Sequence, residues 1–169
     1  MASQRKQFLL AFLAPALLTA QESDPDLLFQ QARKECANGN YQACVTSLEQ
    51  VWKHCETSQD CGRKVYDTAK LLTRALAAAG KPEEAESYLQ QAINWRETRE
   101  SAAGVALADD LTELAMLCRM RKDFERGLTI MHRVISGYHL EASRGNLQAV
   151  PLADAYHRLA ILLTENKDP

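Results

Sequence analysis

A set of turn residues spaced about 42 positions apart constrains the fold of this 169-residue chain more than any other feature. Gly39, Gly80, Lys122 and Lys167 each follow a stretch rich in helix formers, and their separations are 41, 42 and 45 residues. Gly80 is the clearest turn, because glycine adopts the left-handed conformation at a helix end without a steric penalty. A fixed period in this range is typical of a solenoid of stacked helical hairpins.

Matching positions around these turns carry matching side chains. A small residue lies seven positions before each turn and an aspartate lies thirteen before it. After the first three turns, a small residue follows at five positions and apolar residues follow at nine and twelve. The residues are Ala32, Thr73, Ala115 and Ala160; Asp26, Asp67, Asp109 and Asp154; and Cys44, Leu48, Val51, Ala85, Leu89, Ala92, Gly127, Met131 and Val134. Small residues at such places let two helices approach closely, and larger ones fill the groove between hairpins.

The same pattern predicts seven α-helices and no β-sheet. Alanine, leucine, glutamate, glutamine and arginine are abundant, and these are strong helix formers. Pro82, Glu83 and Glu84 suit the first turn of a helix, because the proline N–H would be unpaired there and carboxylates complement the helix dipole. The predicted helices span about 25–37, 41–53, 65–79, 82–96, 105–120, 124–138 and 152–165. About 3.5 repeats therefore fill residues 21–169, at about 25–61, 62–101 and 102–146, with a final helix at 150–166.

These residues resemble the tetratricopeptide repeat (TPR), and the long period is similar to the extended repeats of kinesin light chain. Gly80–Ile93 and Leu111–Cys118 match that family best, and the resemblance covers Asp26–Asp168. It implies an all-α, right-handed superhelical solenoid of antiparallel hairpins. Gln31 and Glu35 stand where the family prefers apolar groups, and no repeat ends with the usual proline. We therefore expect the first hairpin to be an irregular cap stiffened by disulfides.

The N-terminus has the pattern of a secretory signal peptide. Arg5 and Lys6 precede the apolar run Phe8–Ala20, which ends at a small residue before a polar segment. This run of 13 residues is shorter than the roughly 20 that a membrane-spanning helix needs. We therefore predict a signal peptide at residues 1–20 and a secreted or periplasmic protein. The alternative is an uncleaved signal anchor that tethers the chain to a membrane.

The cysteine pattern fits an exported chain. Four of the five cysteines lie within 26 residues, which suggests two disulfides with three alternative connectivities. They are Cys36, Cys44, Cys55 and Cys61. Helix geometry favours pairing the first two, which flank the turn at Gly39, and the last two, which flank the polar loop 56–60. Each bridge would then tie neighbouring helices together at their shared turn.

A zinc site is the rival interpretation of the four clustered thiols, with His54 as a further candidate ligand. Their spacing matches no compact zinc-binding pattern, so structural disulfides are favoured. Cys118 stands apart on an apolar helix face and is most simply a buried free thiol. The sequence therefore predicts no metal site and no cofactor.

Motifs that carry catalysis are missing from the sequence. It has no Gly-rich phosphate loop, no Gly-x-Ser-x-Gly motif and no His-Glu-x-x-His helix. The histidines are dispersed at His54, His132, His139 and His157. The acidic pair Asp109–Asp110 is expected at a helix start, where the dipole explains it, and Trp52 and Trp95 are expected to pack between repeats. We therefore predict a protein that is not an enzyme and takes no small-molecule substrate.

The charge pattern also argues against nucleic-acid binding. The formal net charge is −2, and no helix face carries a dense basic stripe with interleaved aromatic residues. A protein or peptide is therefore the expected partner.

The TPR resemblance implies that the first helices of successive hairpins line a concave, peptide-binding groove. The positions that match it are Phe29, Arg33, Lys70, Arg74, Glu113, Met116, Arg119, His157 and Arg158. Lys70 and Arg74 are four residues apart on one helix, and Arg33 matches Arg74 one repeat earlier. These three predict a basic strip for an acidic segment or a C-terminal carboxylate, although the family's carboxylate clamp of lysine and asparagine is not reproduced.

The last helix lacks the polar face of a terminal repeat. Leu159–Leu163 is apolar throughout, whereas a terminal helix of a solenoid needs a polar outer face. We therefore expect the exposed side to be covered by self-association or by a continuation of the repeats.

Taken together, these features favour a non-catalytic, exported scaffold that binds a protein partner in a concave groove. One alternative is a thiol-redox or metal-binding protein that uses the four clustered cysteines. Another is a regulatory repeat region of a larger assembly.

Overall fold

The computed structural model describes residues 24–58, 61–99, 104–146 and 149–167. The predicted signal peptide at residues 1–20 lies outside these ranges. Within them the chain forms helices and turns, without a strand. The helices are α1 (Pro25–Ala37), α2 (Tyr41–Thr57), α3 (Lys64–Ala78), α4 (Pro82–Arg99), α5 (Val105–Met120), α6 (Phe124–Ser143) and α7 (Ala149–Glu165). Each helix packs against the next in the chain, which gives an all-α, TPR-like solenoid.

Three of the four predicted turns are confirmed by their backbone. Gly39, Gly80 and Lys122 have φ angles of 78°, 77° and 61°, which places all three in the left-handed region. In each turn the next N–H bonds back to a carbonyl of the preceding helix, at 2.9 Å. This arrangement satisfies carbonyls that a helix end leaves unpaired. Lys122 therefore adopts the left-handed conformation that glycine adopts in the other two turns, although it carries a side chain.

Several helices run further than the sequence pattern predicts. α2 continues to Thr57, α4 to Arg99 and α6 to Ser143, while α7 begins at Ala149 rather than near Leu152. The extra turns are stabilised by tertiary contacts and local bonds that periodicity does not reveal. In α6, for example, Glu141 is 8% exposed and accepts hydrogen bonds from neighbouring polar side chains.

Small side chains bring the two helices of each hairpin together, as predicted. Ala32, Thr73 and Ala115 are fully buried. The Thr73 hydroxyl lies 3.3 Å from the carbonyl oxygen of Ala85 on the facing helix. A Cβ atom added at Gly127 would lie 3.4 Å from the carbonyl oxygen of Ala115. A larger residue at any of these positions would push the pair apart.

The first hairpin is held by covalent and polar contacts. A Cys36–Cys44 disulfide (2.10 Å) joins α1 to α2, and a Cys55–Cys61 disulfide (2.14 Å) joins the end of α2 to the turn before α3. This is the pairing that helix geometry favoured. Glu35 stands where the TPR pattern prefers an apolar group. Its carboxylate accepts a hydrogen bond from the Ser47 hydroxyl at 3.0 Å across the hairpin, which gives this polar side chain a role there.

The two tryptophans pack in different places. Trp52 on α2 meets Tyr88 on α4 edge-on, with ring centroids 5.4 Å apart, so it packs between repeats as predicted. Trp95 on α4 lies 5.7 Å from the Tyr66 ring on α3, so it packs within its own hairpin rather than between hairpins.

Among the described residues, no helix combines the length and apolar character that a bilayer-spanning segment requires.

A candidate protein-binding groove on the first helices

One side of each first helix faces away from the second helices, and we call these sides together the groove face. Its members lie ten, nine and six positions before each turn and are exposed or half-buried. They are Phe29, Gln30 and Arg33 on α1, Lys70, Leu71 and Arg74 on α3, Thr112, Glu113 and Met116 on α5, and His157, Arg158 and Ile161 on α7. The sequence placed most of the predicted binding residues on this face, and the structure brings several of them into two pockets.

The first pocket lies between α1 and α3 and is rich in basic groups. Its volume is about 360 Å³. It is lined by Phe29, Arg33, Tyr66, Asp67, Lys70, Leu71 and Arg74. The side chain of Arg74 is 68% exposed, and Arg33 is also exposed. Two solvated guanidinium groups beside the apolar Phe29 and Leu71 suit a partner segment in which a carboxylate is followed by an apolar side chain.

The second pocket lies between α5 and α7 and is larger and more acidic. Its volume is about 640 Å³. It is lined by Asp109, Thr112, Glu113, Met116, Tyr138, Val150, Pro151, Asp154, Ala155 and Arg158. All three of its carboxylates have partners within the chain. Asp154 binds Arg158 Nε at 2.6 Å, Asp109 accepts a hydrogen bond from the Tyr138 hydroxyl at 2.8 Å, and Glu113 binds Lys70. The predicted residues Glu113 and Arg158 both lie in this pocket.

An ion-pair network separates the two pockets. Lys70 Nζ lies 2.8 Å from Asp110 Oδ1 and also binds Glu113, which in turn lies 3.5 Å from Arg74. Burial alone would lower the pKa of the Lys70 ammonium, but Glu113 and Asp110 outweigh it and hold that pKa above its usual value. Lys70 is therefore bound within the chain, so Arg33 and Arg74 are the predicted cations of the strip that face solvent.

A buried polar cluster lies beneath this network. Asp110 is 1% exposed and receives hydrogen bonds from the Tyr66 hydroxyl (2.9 Å) and Arg96 Nε (2.7 Å). Arg96 Nη2 also donates to the Tyr66 hydroxyl, and its guanidinium lies 4.5 Å from the ring centroid. The cluster joins three helices (α3, α4 and α5), and it fixes Lys70 at the base of the groove.

The helix-dipole explanation of Asp109–Asp110 is wrong. Both residues lie beyond the first turn of α5, which begins at Val105, and α5 has no acidic residue in that turn. Asp110 is instead a buried acceptor for groups from two other helices. Consecutive helical residues point in directions about 100° apart, so two adjacent aspartates can have different surroundings, here solvent for Asp109 and the core for Asp110.

Two predicted binding residues, Arg119 and His157, line neither pocket. Arg119 forms two hydrogen bonds with Glu165, at 2.8 and 2.6 Å, so it links α5 to α7. This bond raises the pKa of Arg119 and lowers that of Glu165. His157 is exposed on α7.

The cysteines offer little reactive sulfur. Zinc binds cysteine as the thiolate, and the sulfurs of the two disulfide-bonded pairs are not thiolates. Cys118 is the unpaired cysteine and is fully buried, and burial raises the pKa of its thiol. In the part of the chain that the structure describes, no three His, Cys, Asp or Glu side chains are grouped so that they could hold a metal ion.

Comparison with known proteins supports the fold. No protein-family model and no curated protein matches the sequence. Among solved structures, the chain is similar to BtubC (BKLC) from P. vanneervenii, with a TM-score of 0.71 and 19% identity over 86% of this chain. It is also similar to the assembly chaperone of RpL4 (Acl4), with a TM-score of 0.46 and 20% identity over 83% of this chain and 52% of that one. The first similarity shows a shared helical-repeat fold, and our chain spans 59% of the BtubC length.

Proposed function

We propose that this chain is a non-catalytic scaffold whose groove face binds a segment of a partner protein. The observation that carries the proposal is the pair of open pockets on successive first helices, with volumes of about 360 and 640 Å³. Both mix charged groups with apolar side chains, as sites that recognise peptide segments do. The helical-repeat fold supports this role, because stacked repeats create extended concave surfaces.

The charges of the two pockets suggest the chemistry of the segment. The α1–α3 pocket offers the exposed Arg33 and Arg74. The α5–α7 pocket is lined by Asp109, Glu113 and Asp154, whose carboxylates have lone pairs for further donors besides their partners within the chain. A segment with a carboxylate towards α1 and a basic or hydrogen-bond-donating group towards α7 would complement both. The proposed occupant is therefore an acidic segment that binds in one direction along the groove.

We also propose that the protein acts in an oxidising compartment outside the cytoplasm. Two disulfides within a short stretch of α1, α2 and the following turn support this, because such bonds persist in exported proteins. The basic and apolar pattern of residues 1–20 supports export in the same way.

Affinity capture from the extracellular or periplasmic fraction of the source organism tests the binding role. The Arg33→Glu/Arg74→Glu variant reverses the exposed cations of the groove face and leaves Lys70 in its internal ion pairs. The Lys34→Glu/Lys53→Glu variant reverses the same total charge at exposed positions outside the groove face. We expect a partner that the wild-type and Lys34→Glu/Lys53→Glu proteins retain and the groove variant loses, with at least tenfold weaker binding. Equal retention by all three proteins would refute the groove assignment.

A further inference from the structure

α7 carries an apolar face that the other described residues leave exposed. In α3 and α5, the positions eleven, seven and four before the turn are buried. They hold Ala69, Thr73 and Leu76 in α3, and Leu111, Ala115 and Cys118 in α5. The same positions in α7 hold Tyr156, Ala160 and Leu163, and we call these three residues the hairpin face of α7. All three are exposed, Tyr156 to 47% and Leu163 to 43%.

The buried side of α7 shows that this face is not already used. Ala155, Leu159 and Leu162 are buried, and they match the buried Asp110, Leu114 and Leu117 of α5, of which Asp110 contacts the preceding hairpin. A Cβ atom added at Gly127 on α6 would lie 3.2 Å from Leu162 Cδ2. α7 therefore packs back onto the third hairpin with one side and presents its hairpin face outward.

The complete hairpins show what kind of element fits such a face. In the second hairpin the small Ala85 packs against Thr73, which matches Ala160, and in the third Gly127 packs against Ala115 and Cys118, which match Ala160 and Leu163. The Thr73 hydroxyl lies 3.3 Å from the Ala85 carbonyl oxygen, and a Cβ atom at Gly127 would lie 3.5 Å from Cys118 Cβ. The hairpin face of α7 is therefore shaped for an antiparallel helix with a small residue at the point of closest approach.

We propose that this helix is α7 of a second copy, packed antiparallel about a two-fold axis. The second copy's Ala160 would take the place that Ala85 and Gly127 take in the hairpins, and each Leu163 would pack over the other Ala160. Such a contact is self-complementary, as a two-fold interface requires. α7 supplies both the small residue and the large one that the face needs.

The flanking side chains suit this register. It sets Lys167 of one copy against the Tyr156 ring of the other, which is a favourable cation–π arrangement. It sets His157 against Asn166, so no two like-charged side chains meet. Tyr156 is also held in place, because its hydroxyl lies 2.8 Å from His139 Nε2 on α6. None of the side chains in this contact lines either groove pocket, so dimerisation and binding in the pockets do not compete.

Sedimentation velocity over a concentration series tests the dimer. We expect the purified protein to shift from monomer to dimer as concentration rises, and Leu163→Glu to weaken the association at least tenfold. Leu27→Glu is the matched control, because Leu27 is 68% exposed on α1, far along the chain from α7. Circular dichroism checks that each variant keeps its helices. A wild-type protein that stays monomeric at all concentrations would overturn the proposal.

Disulfide trapping tests the register without relying on a destabilising variant. Ala160→Cys places a thiol at the closest approach of the two helices, whereas Ala153→Cys places one at an exposed position of α7 outside the hairpin face. Under mild oxidation we expect covalent dimers at least ten times faster from Ala160→Cys. Equal rates would contradict the proposed pairing. A monomeric protein that instead binds an added amphipathic helix through Leu163 would assign the face to a different partner and equally refute the dimer.

Discussion

Arg96 on α4 donates a hydrogen bond from Nε to Asp110 Oδ2 on α5 at 2.7 Å, and both side chains are almost fully buried. This contact ties the second hairpin to the third. It also holds Asp110 where Lys70 can reach it from α3 at 2.8 Å. The buried Asp110 carboxylate therefore fixes the position of Lys70 in the groove face between these hairpins.

Replacing this carboxylate should destabilise the fold strongly. Asp110→Ala leaves the buried Arg96 and the half-buried Lys70 without their shared partner. Breaking a buried pair such as Arg96–Asp110 costs about 3–5 kcal/mol. Asp154→Ala is the matched control, because it breaks an exposed pair with Arg158, and such pairs contribute about 0.5 kcal/mol. Urea unfolding measures both. A loss below about 1 kcal/mol for Asp110→Ala would show that the cluster does not stabilise the solenoid.

The turn at Lys122 should be improved by glycine. Lys122 has φ 61°, a conformation that costs an L-residue roughly 1–2 kcal/mol. We expect Lys122→Gly to stabilise the protein by about 1 kcal/mol and Gly80→Ala, at φ 77°, to destabilise it by a similar amount. Thermal unfolding should therefore move in opposite directions for the two variants. Destabilisation by Lys122→Gly would mean that its side chain makes a contact worth more than the backbone strain.

These turns also show how far the sequence predicts the fold. Turn residues and helical periodicity act locally, so the seven helices, the three turns and the small residues at the hairpin contacts could be predicted. The lengths of α2, α4 and α6 could not, because tertiary contacts stabilise their last turns. The cluster around Asp110 was missed for the same reason: its members come from three helices, and no spacing along the chain relates Tyr66, Arg96 and Asp110. The groove face was predicted, but the internal pairing of Lys70 was not.

Thiol titration should find one free cysteine. With Cys36–Cys44 and Cys55–Cys61 bonded, Cys118 is the remaining thiol of the five cysteines. We expect one thiol per chain in the denatured, unreduced protein, and slow labelling in the native protein because Cys118 is buried. Reduction of each bridge should lower the free energy of unfolding by about 2–3 kcal/mol. Three or more free thiols in the purified protein would favour the thiol-redox interpretation instead.

Stability should fall at alkaline pH, in part because of Tyr138. Burial, together with the hydrogen bond to Asp109, raises the pKa of its hydroxyl above the ordinary value of 10.0. Above about pH 10 the unfolded chain loses this proton first, so the unfolded state binds fewer protons and the free energy of unfolding decreases as pH rises. The contribution is fully present below pH 10.

Tyr138→Phe should remove part of this alkaline loss, at the cost of about 1 kcal/mol at neutral pH from the missing hydrogen bond. Tyr41→Phe, with a ring 37% exposed on α2, is the matched control and should keep the alkaline loss. Unfolding free energies between pH 7 and 11 make the comparison. Identical slopes for wild type and Tyr138→Phe would contradict the assignment.

Site-specific photo-crosslinking tests the groove most directly. A photoreactive residue at Leu71 lies in the α1–α3 pocket, whereas one at Gln50 lies exposed on the outer helix α2. We expect the captured partner to crosslink to position 71 and not to position 50, and Arg33→Glu/Arg74→Glu to abolish the adduct. Crosslinking at position 50, or an adduct at position 71 that survives the charge reversal unchanged, would contradict the groove assignment.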